Sequence, residues 1–142
     1  MKRGIVSGFF NPLHWGHLDY IHAAREQCDD LTVIVNNDLQ VNLKGSKPFM
    51  TVEHRCAIIN ALRDVDKTIM AIDSDKTVCE TLKAIKDFFP EDELIFFNSG
   101  DRATTESADS AEIELCRNIG IKYIAIPLQK RYSSSTLKAS IA

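Results

Sequence analysis

His14 and His17 are the residues from which chemistry is most readily built. They stand three apart in His14-Trp15-Gly16-His17, a spacing that brings both imidazoles to one side of a helix. Leu18, Ile21 and Ala24 recur at helical spacing behind them, so a helix is expected from about Gly16 to Gln27. The start of such a helix is a ready anion site, because its first N–H groups lack intrahelical partners and its dipole favours negative charge. Gly16 removes a Cβ where a phosphate would approach the backbone. Imidazole donors at that place can follow charge as it develops on a phosphoryl oxygen. The pattern predicts phosphate chemistry.

The histidines need a scaffold, and the rest of the chain supplies one. Gly4 to Ser7 reads as a first strand, followed by Gly8 and a turn through Pro12 into the helix. Leu31 to Val35 is a β-branched run suited to a parallel strand buried on both faces. Asn36-Asn37-Asp38 ends it with turn formers. Thr51 caps a helix over Val52 to Leu62, and Thr68 to Ile72 is the third strand. A helix over Lys76 to Phe89 stops at Pro90, and Leu94 to Phe97 is the fourth strand. Ser110 to Asn118 is helical with Gly120 as its cap, Lys122 to Ile126 is the fifth strand, and Ser134 to Ile141 a short last helix. This alternation implies an α/β fold: one domain over residues 1–142, a five-stranded parallel sheet doubly wound and flanked by helices. Ligands then bind at the C-terminal ends of the strands.

Composition bounds the function. A hydrophobic content of 44% and a charged content of 26% are those of a soluble globular chain. The net charge of −3 argues against a nucleic-acid binder, which would show a basic surface. Cys28, Cys56, Cys79 and Cys116 are scattered without a C-x-x-C, so neither a disulfide framework nor a zinc site is indicated, and a buried apolar role is expected for them. The chain has no signal-peptide pattern and no apolar run of ~18 residues, which reads as cytosolic with no membrane partner.

Strand, small residues, Asn-Pro turn, H-x-G-H and helix arrive together within the first stretch of the chain. That stretch resembles the nucleotidyltransferase superfamily of cytidylyltransferases, adenylyltransferases and class I aminoacyl-tRNA synthetases. Gly8-Phe9-Phe10-Asn11-Pro12-Leu13-His14-Trp15-Gly16-His17 is similar to the G-T-F-D-x-x-H-W-G-H of glycerol-3-phosphate cytidylyltransferases, with Phe9 for the usual Thr or Ser and Asn11 for the usual Asp. F-N-P-x-H-x-G-H also resembles nicotinate-nucleotide adenylyltransferases. Leu43-Lys44-Gly45-Ser46-Lys47-Pro48 resembles the L-K-G-x-x-R-P of heptose-phosphate nucleotidyltransferases, and Glu53-His54-Arg55 matches E-H-R or E-Q-R in both groups. Phe97-Asn98-Ser99-Gly100-Asp101-Arg102 resembles their G-G-D or G-D-D, and Arg131 to Lys138 their I-S-T-T-x-I or I-S-S-T-x-I-R, with Tyr132 for Ile.

The resemblance implies a Rossmann-like nucleotidyltransferase. A phosphate or phosphonate oxygen of a small acceptor would attack the α-phosphorus of a nucleoside triphosphate and expel pyrophosphate. It implies His14 and His17 at the α- and β-phosphates and Lys44, with Lys47 as a second candidate, on the triphosphate. Arg131, Ser133, Ser134, Ser135 and Thr136 would hold the same group. Gly8, Phe9, Phe10, Asn11, Gly16 and Arg55 would shape the nucleotide pocket, and Gly100, Asp101 and Arg102 would border the nucleoside. Mg²⁺ would travel with the triphosphate, since no carboxylate cage is apparent. H-W-G-H and E-H-R favour CTP with a polyol or sugar phosphate; F-N-P and L-K-G favour ATP with a heptose phosphate, FMN or nicotinate nucleotide. The main expectation is CMP transfer from CTP. Alternatives are ATP-dependent adenylyl transfer, or a nucleotide-binding module that has lost the reaction. A tRNA-related role is opposed by the acidic balance and by the lack of K-M-S-K-S. Arg63-Asp64-Val65-Asp66 matches an R-x-V-D segment of relatives that are commonly homodimers, and Ile59, Leu62, Val65 and Ile69 around it offer apolar surface for a partner copy.

Overall fold

The computed structural model of the chain describes residues 1–99 and 107–127. In chain order the elements are β1 (Lys2–Gly8), α1 (Trp15–Arg25), β2 (Asp30–Val35), α2 (Asp38–Leu43), α3 (Val52–Asn60) and β3 (Lys67–Met70). They continue with α4 (Cys79–Phe88), β4 (Glu93–Ser99), α5 (Ser107–Ile119) and β5 (Lys122–Ile126). The five strands form one sheet in the order β3-β2-β1-β4-β5, every pairing parallel. The expected α/β class and five-stranded parallel sheet are both present.

Strand residues alternate between two apolar layers because successive side chains leave opposite faces of a sheet. Val6, Val33, Val35, Ile95 and Phe97 meet Tyr20, Ile21 and Ala24 of α1 and Val52 and Ile59 of α3. Ile5, Ile34, Leu94 and Phe96 meet Leu82 and Ile85 of α4 and Cys116 of α5. Helices therefore cover both faces, and the sheet is doubly wound. The order of strands reverses between β1 and β4, so the C-terminal ends of these two strands open on the crevice where such folds bind ligands.

Differences from the sequence expectation have local causes. Helix α2 was not expected, since Asn36-Asn37-Asp38 reads as a turn. Asn37 instead caps a helix: its side chain accepts the Gln40 N–H at 2.9 Å, and the Gln40 side chain accepts the Asn37 N–H at 3.0 Å. Asn37-x-x-Gln40 is a variant of the capping box, a signal the turn reading overlooks. Helix α4 begins at Cys79 rather than Lys76 because the buried Asp73 carboxylate takes the N–H groups of Glu80 and Thr81. The last helix expected over Ser134 to Ile141 lies outside the described residues.

The apolar residues offered as a dimer surface belong to the protomer itself. Ile59 and Val65 are buried in the first core layer with Leu62 packed against it, and Ile69 packs against the second. The expectation of apolar surface there is corrected; Arg63 alone of that group remains exposed. All four cysteines are free. Cys116 is buried, and that burial above all pushes its thiol up to about 12. Among the described residues no helix is long and apolar enough to cross a membrane.

Candidate active site

The site is built at the C-terminal end of β1. Gly8 closes that strand, and the ring of Phe10 folds back over it: a Cβ on Gly8 would stand 2.7 Å from the tip of the Phe10 ring. Phe10 is fully buried and adopts a left-handed backbone (φ 49°), which turns the chain out of the sheet. The Asn11-Pro12 peptide that follows is cis.

Helix α1 then starts with a reciprocal cap made by the two histidines. His14 occupies the N-cap with extended backbone, and its Nδ1 accepts the Gly16 N–H at 3.1 Å. His17 Nδ1 accepts the His14 N–H, also at 3.1 Å. The rings lie stacked, centroids 3.7 Å apart and planes 25° from parallel, and Phe10 meets His17 edge-on. A nitrogen that accepts a hydrogen bond carries no proton, so in each neutral ring the proton sits on Nε2. Burial holds the His14 pKa below the ordinary histidine value and favours that neutral form. The helix entrance thus carries two adjacent Nε2–H donors whose rings its own backbone orients.

Lys44 reaches this place from α2. It is the C-cap of that helix, and Gly45 follows with φ 89°. The Gly45 N–H bonds the Asn42 carbonyl at 2.9 Å and the Ser46 N–H bonds the Val41 carbonyl at 3.1 Å, a Schellman ending that needs the left-handed glycine. The exposed Lys44 ammonium lies 4.4 Å from the centroid of the Phe9 ring, within cation–π range. The chain turned back by Gly45 runs to Asn11. Asn11 donates through Nδ2 to the Lys47 carbonyl at 2.9 Å and accepts the Phe49 N–H on Oδ1.

Arg55 has a role other than the expected ligand contact. Its side chain is wholly buried, and its guanidinium donates to the carbonyls of Phe9 and Asn36 at 2.7 Å each and of Met50 at 3.0 Å. A charge-assisted bond of 2.6 Å to Asp38 completes the set. Arg55 therefore joins the ends of β1 and β2, the start of α2 and the entrance of α3 from within. Neither the neutral partners nor Asp38 is announced by E-H-R, because they come from distant segments. Tyr20 is a further positioning residue the sequence does not reveal; its hydroxyl donates to the Phe97 carbonyl at 2.7 Å and ties α1 to β4.

Gly8, Phe9, Phe10, Asn11, His14, Gly16 and His17 are thus gathered at the C-terminal end of β1, with Lys44 beside Phe9. Lys47 joins through its backbone, its side chain being exposed. Gly100, Asp101, Arg102, Arg131, Ser133, Ser134, Ser135 and Thr136 lie outside the described residues. Among the described residues no three His, Cys, Asp or Glu side chains are grouped to hold a metal ion.

Comparison with known proteins places this arrangement. The model of the cytidylyltransferase-like family matches residues 5–140. The chain is 34% identical to an FAD synthase of Methanosarcina barkeri, over 92% of the chain and 86% of that protein. It is 43% identical to the bifunctional protein HldE of Granulibacter bethesdensis, over 44% of the chain and 13% of that much longer protein. A crystal structure described as a lipopolysaccharide core biosynthesis protein from Thermoplasma volcanium superposes with a TM-score of 0.71 at 26% identity, covering 94% of this chain and 99% of that one. The match over nearly the whole length, with paired histidines at the entrance of α1, makes this chain a member of the cytidylyltransferase-like family of nucleotidyltransferases.

Proposed function

We propose that the protein transfers AMP from magnesium-bound ATP to the phosphate of a small acceptor, with FMN as the first candidate, and releases pyrophosphate. The observation that carries the reaction class is the pair of capped imidazoles, two neutral Nε2–H donors at a helix N-terminus with Lys44 nearby. The choice of ATP rests on the relatives. The FAD synthase of Methanosarcina barkeri spans most of both chains, and forming FAD from FMN is an adenylyl transfer. CTP, the expectation from H-W-G-H and E-H-R, has less support than ATP, and a heptose phosphate follows FMN as acceptor because of the partial match to HldE.

The acceptor is already an anion, so its phosphate oxygen needs no general base. That oxygen forms a bond to the α-phosphorus while the bond from the α-phosphorus to the β-bridging oxygen breaks, and pyrophosphate leaves with the electron pair. Positioning and charge stabilisation carry such a transfer. His14 and His17 donate to α- and β-phosphate oxygens as charge moves toward the leaving group. Lys44 balances the β and γ charge. By resemblance Arg131 and Ser133 to Thr136 hold the triphosphate, and Gly100, Asp101 and Arg102 border the nucleoside. Pyrophosphate release with each of four nucleoside triphosphates, against FMN, heptose phosphate and glycerol 3-phosphate, tests the reading. FAD from ATP and FMN on a chromatogram is the expected result; turnover with CTP alone would overturn the nucleotide assignment.

A further inference from the structure

We infer that Asn11 is the positioning residue that fastens the lysine-bearing segment 44–50 to the histidine-bearing loop, and so sets the affinity for the triphosphate. This rests on the proposed reading of the site. Asn11 is 5% exposed, too enclosed to serve chiefly as a ligand contact. Both ends of its amide are used across 36 and 38 residues of sequence, one donating to the Lys47 carbonyl and the other accepting the Phe49 N–H. The remaining ties around this segment lie at its two ends. Gly45 ends α2 on one side; on the other Arg55 holds the Met50 carbonyl and Asp38 the Val52 N–H. Asn11 is therefore what holds the middle, and it does so three residues before His14.

The chemistry demands an amide. An ionised carboxylate of the same shape could accept from Phe49 but could only repel the Lys47 carbonyl, having no proton to donate. Loss of the join leaves the segment to sample positions in which Lys44 stands away from the histidines, and apparent affinity falls with the fraction that remains competent. Two hydrogen bonds of ordinary net strength set that loss at about tenfold to thirtyfold.

The test uses Asn11→Ala and the near-isosteric Asn11→Asp in the full chain. Amide hydrogen exchange at Phe49 reads the join without reference to activity; calorimetric binding of magnesium-ATP and the split between KM and kcat read its use. Asn11→Ala is expected to expose the Phe49 amide and weaken ATP binding by about tenfold or more, with KM moving more than kcat. Asn11→Asp keeps the side-chain volume and is expected to weaken ATP binding as well. Unchanged Phe49 exchange in Asn11→Ala overturns the join. Fast exchange with unchanged ATP affinity in both variants overturns its role in binding. A wild-type chain that binds no nucleotide overturns the proposed function, and Phe49 exchange then still decides whether Asn11 holds the segment.

Discussion

His17→Ala removes three things from the start of α1: the Nε2 donor, the Nδ1 acceptor of the His14 N–H, and the ring stacked on His14. The donor matters only as charge develops on the phosphate oxygens, where one such group is worth about 3–4 kcal/mol, or a hundredfold to a thousandfold in rate. The other two act on the folded state. A lost capping bond costs about 1 kcal/mol, and a ring pair about 0.5–1.5 kcal/mol beyond its buried area. For a chain of 142 residues these predict a fall in Tm of about 5–10 °C. Activity and stability thus change by different amounts for different reasons. His17→Gln separates them, because glutamine at this third helical position can accept the N-cap N–H in a capping box. Circular-dichroism melting should show His17→Gln recovering most of the lost Tm, while pyrophosphate release at 25 °C stays far below wild type in both variants. Turnover within about threefold of wild type in a folded His17→Ala protein would refute the assignment of His17 to transition-state stabilisation.

Three more outcomes follow from the same geometry. The folded-state pKa of His14 lies below its unfolded value, so the unfolded chain binds that proton more readily; the contribution to stability is complete above about pH 6.5 and is lost as the pH falls through the folded value. Tm measured from pH 8 down to pH 5 should fall more steeply in wild type than in His14→Asn, and equal slopes would contradict the neutral cap. Arg55→Ala leaves the buried face of Asp38 and three carbonyls without their partner and should cost about 3–5 kcal/mol in urea unfolding, with Arg55→Lys recovering only part because one ammonium cannot reproduce the fork. The homodimer expected from Arg63-Asp64-Val65-Asp66 should give twice the 16.0 kDa chain mass in sedimentation equilibrium and fall toward it in Arg63→Glu; a wild-type mass of 16.0 kDa removes it.

The sequence by itself determined the architecture and the place of the chemistry. β-Branched runs such as Leu31 to Val35 alternate with amphipathic segments, and both periodicities are local properties that need no knowledge of the fold. H-x-G-H at a helix entrance is likewise local, since the cap, the spacing and the glycine act within one turn. Only the tertiary structure decided what Arg55, Asn11 and Lys44 do. E-H-R looks the same whether the arginine faces a nucleotide or the interior. Burial beneath the ends of β1 and β2 selects the interior, because a desolvated guanidinium must find its partners there. L-K-G shows a lysine before a turn, yet only the Schellman ending at Gly45 and the amide of Asn11 bring that turn back to the histidine loop. The apolar residues around Arg63 could have faced a second chain or the sheet, and only the packing of α3 and β3 put them in the core. Long-range hydrogen bonds and burial depend on which distant segments the sheet order makes neighbours, and the spacing of residues along a chain does not encode that order.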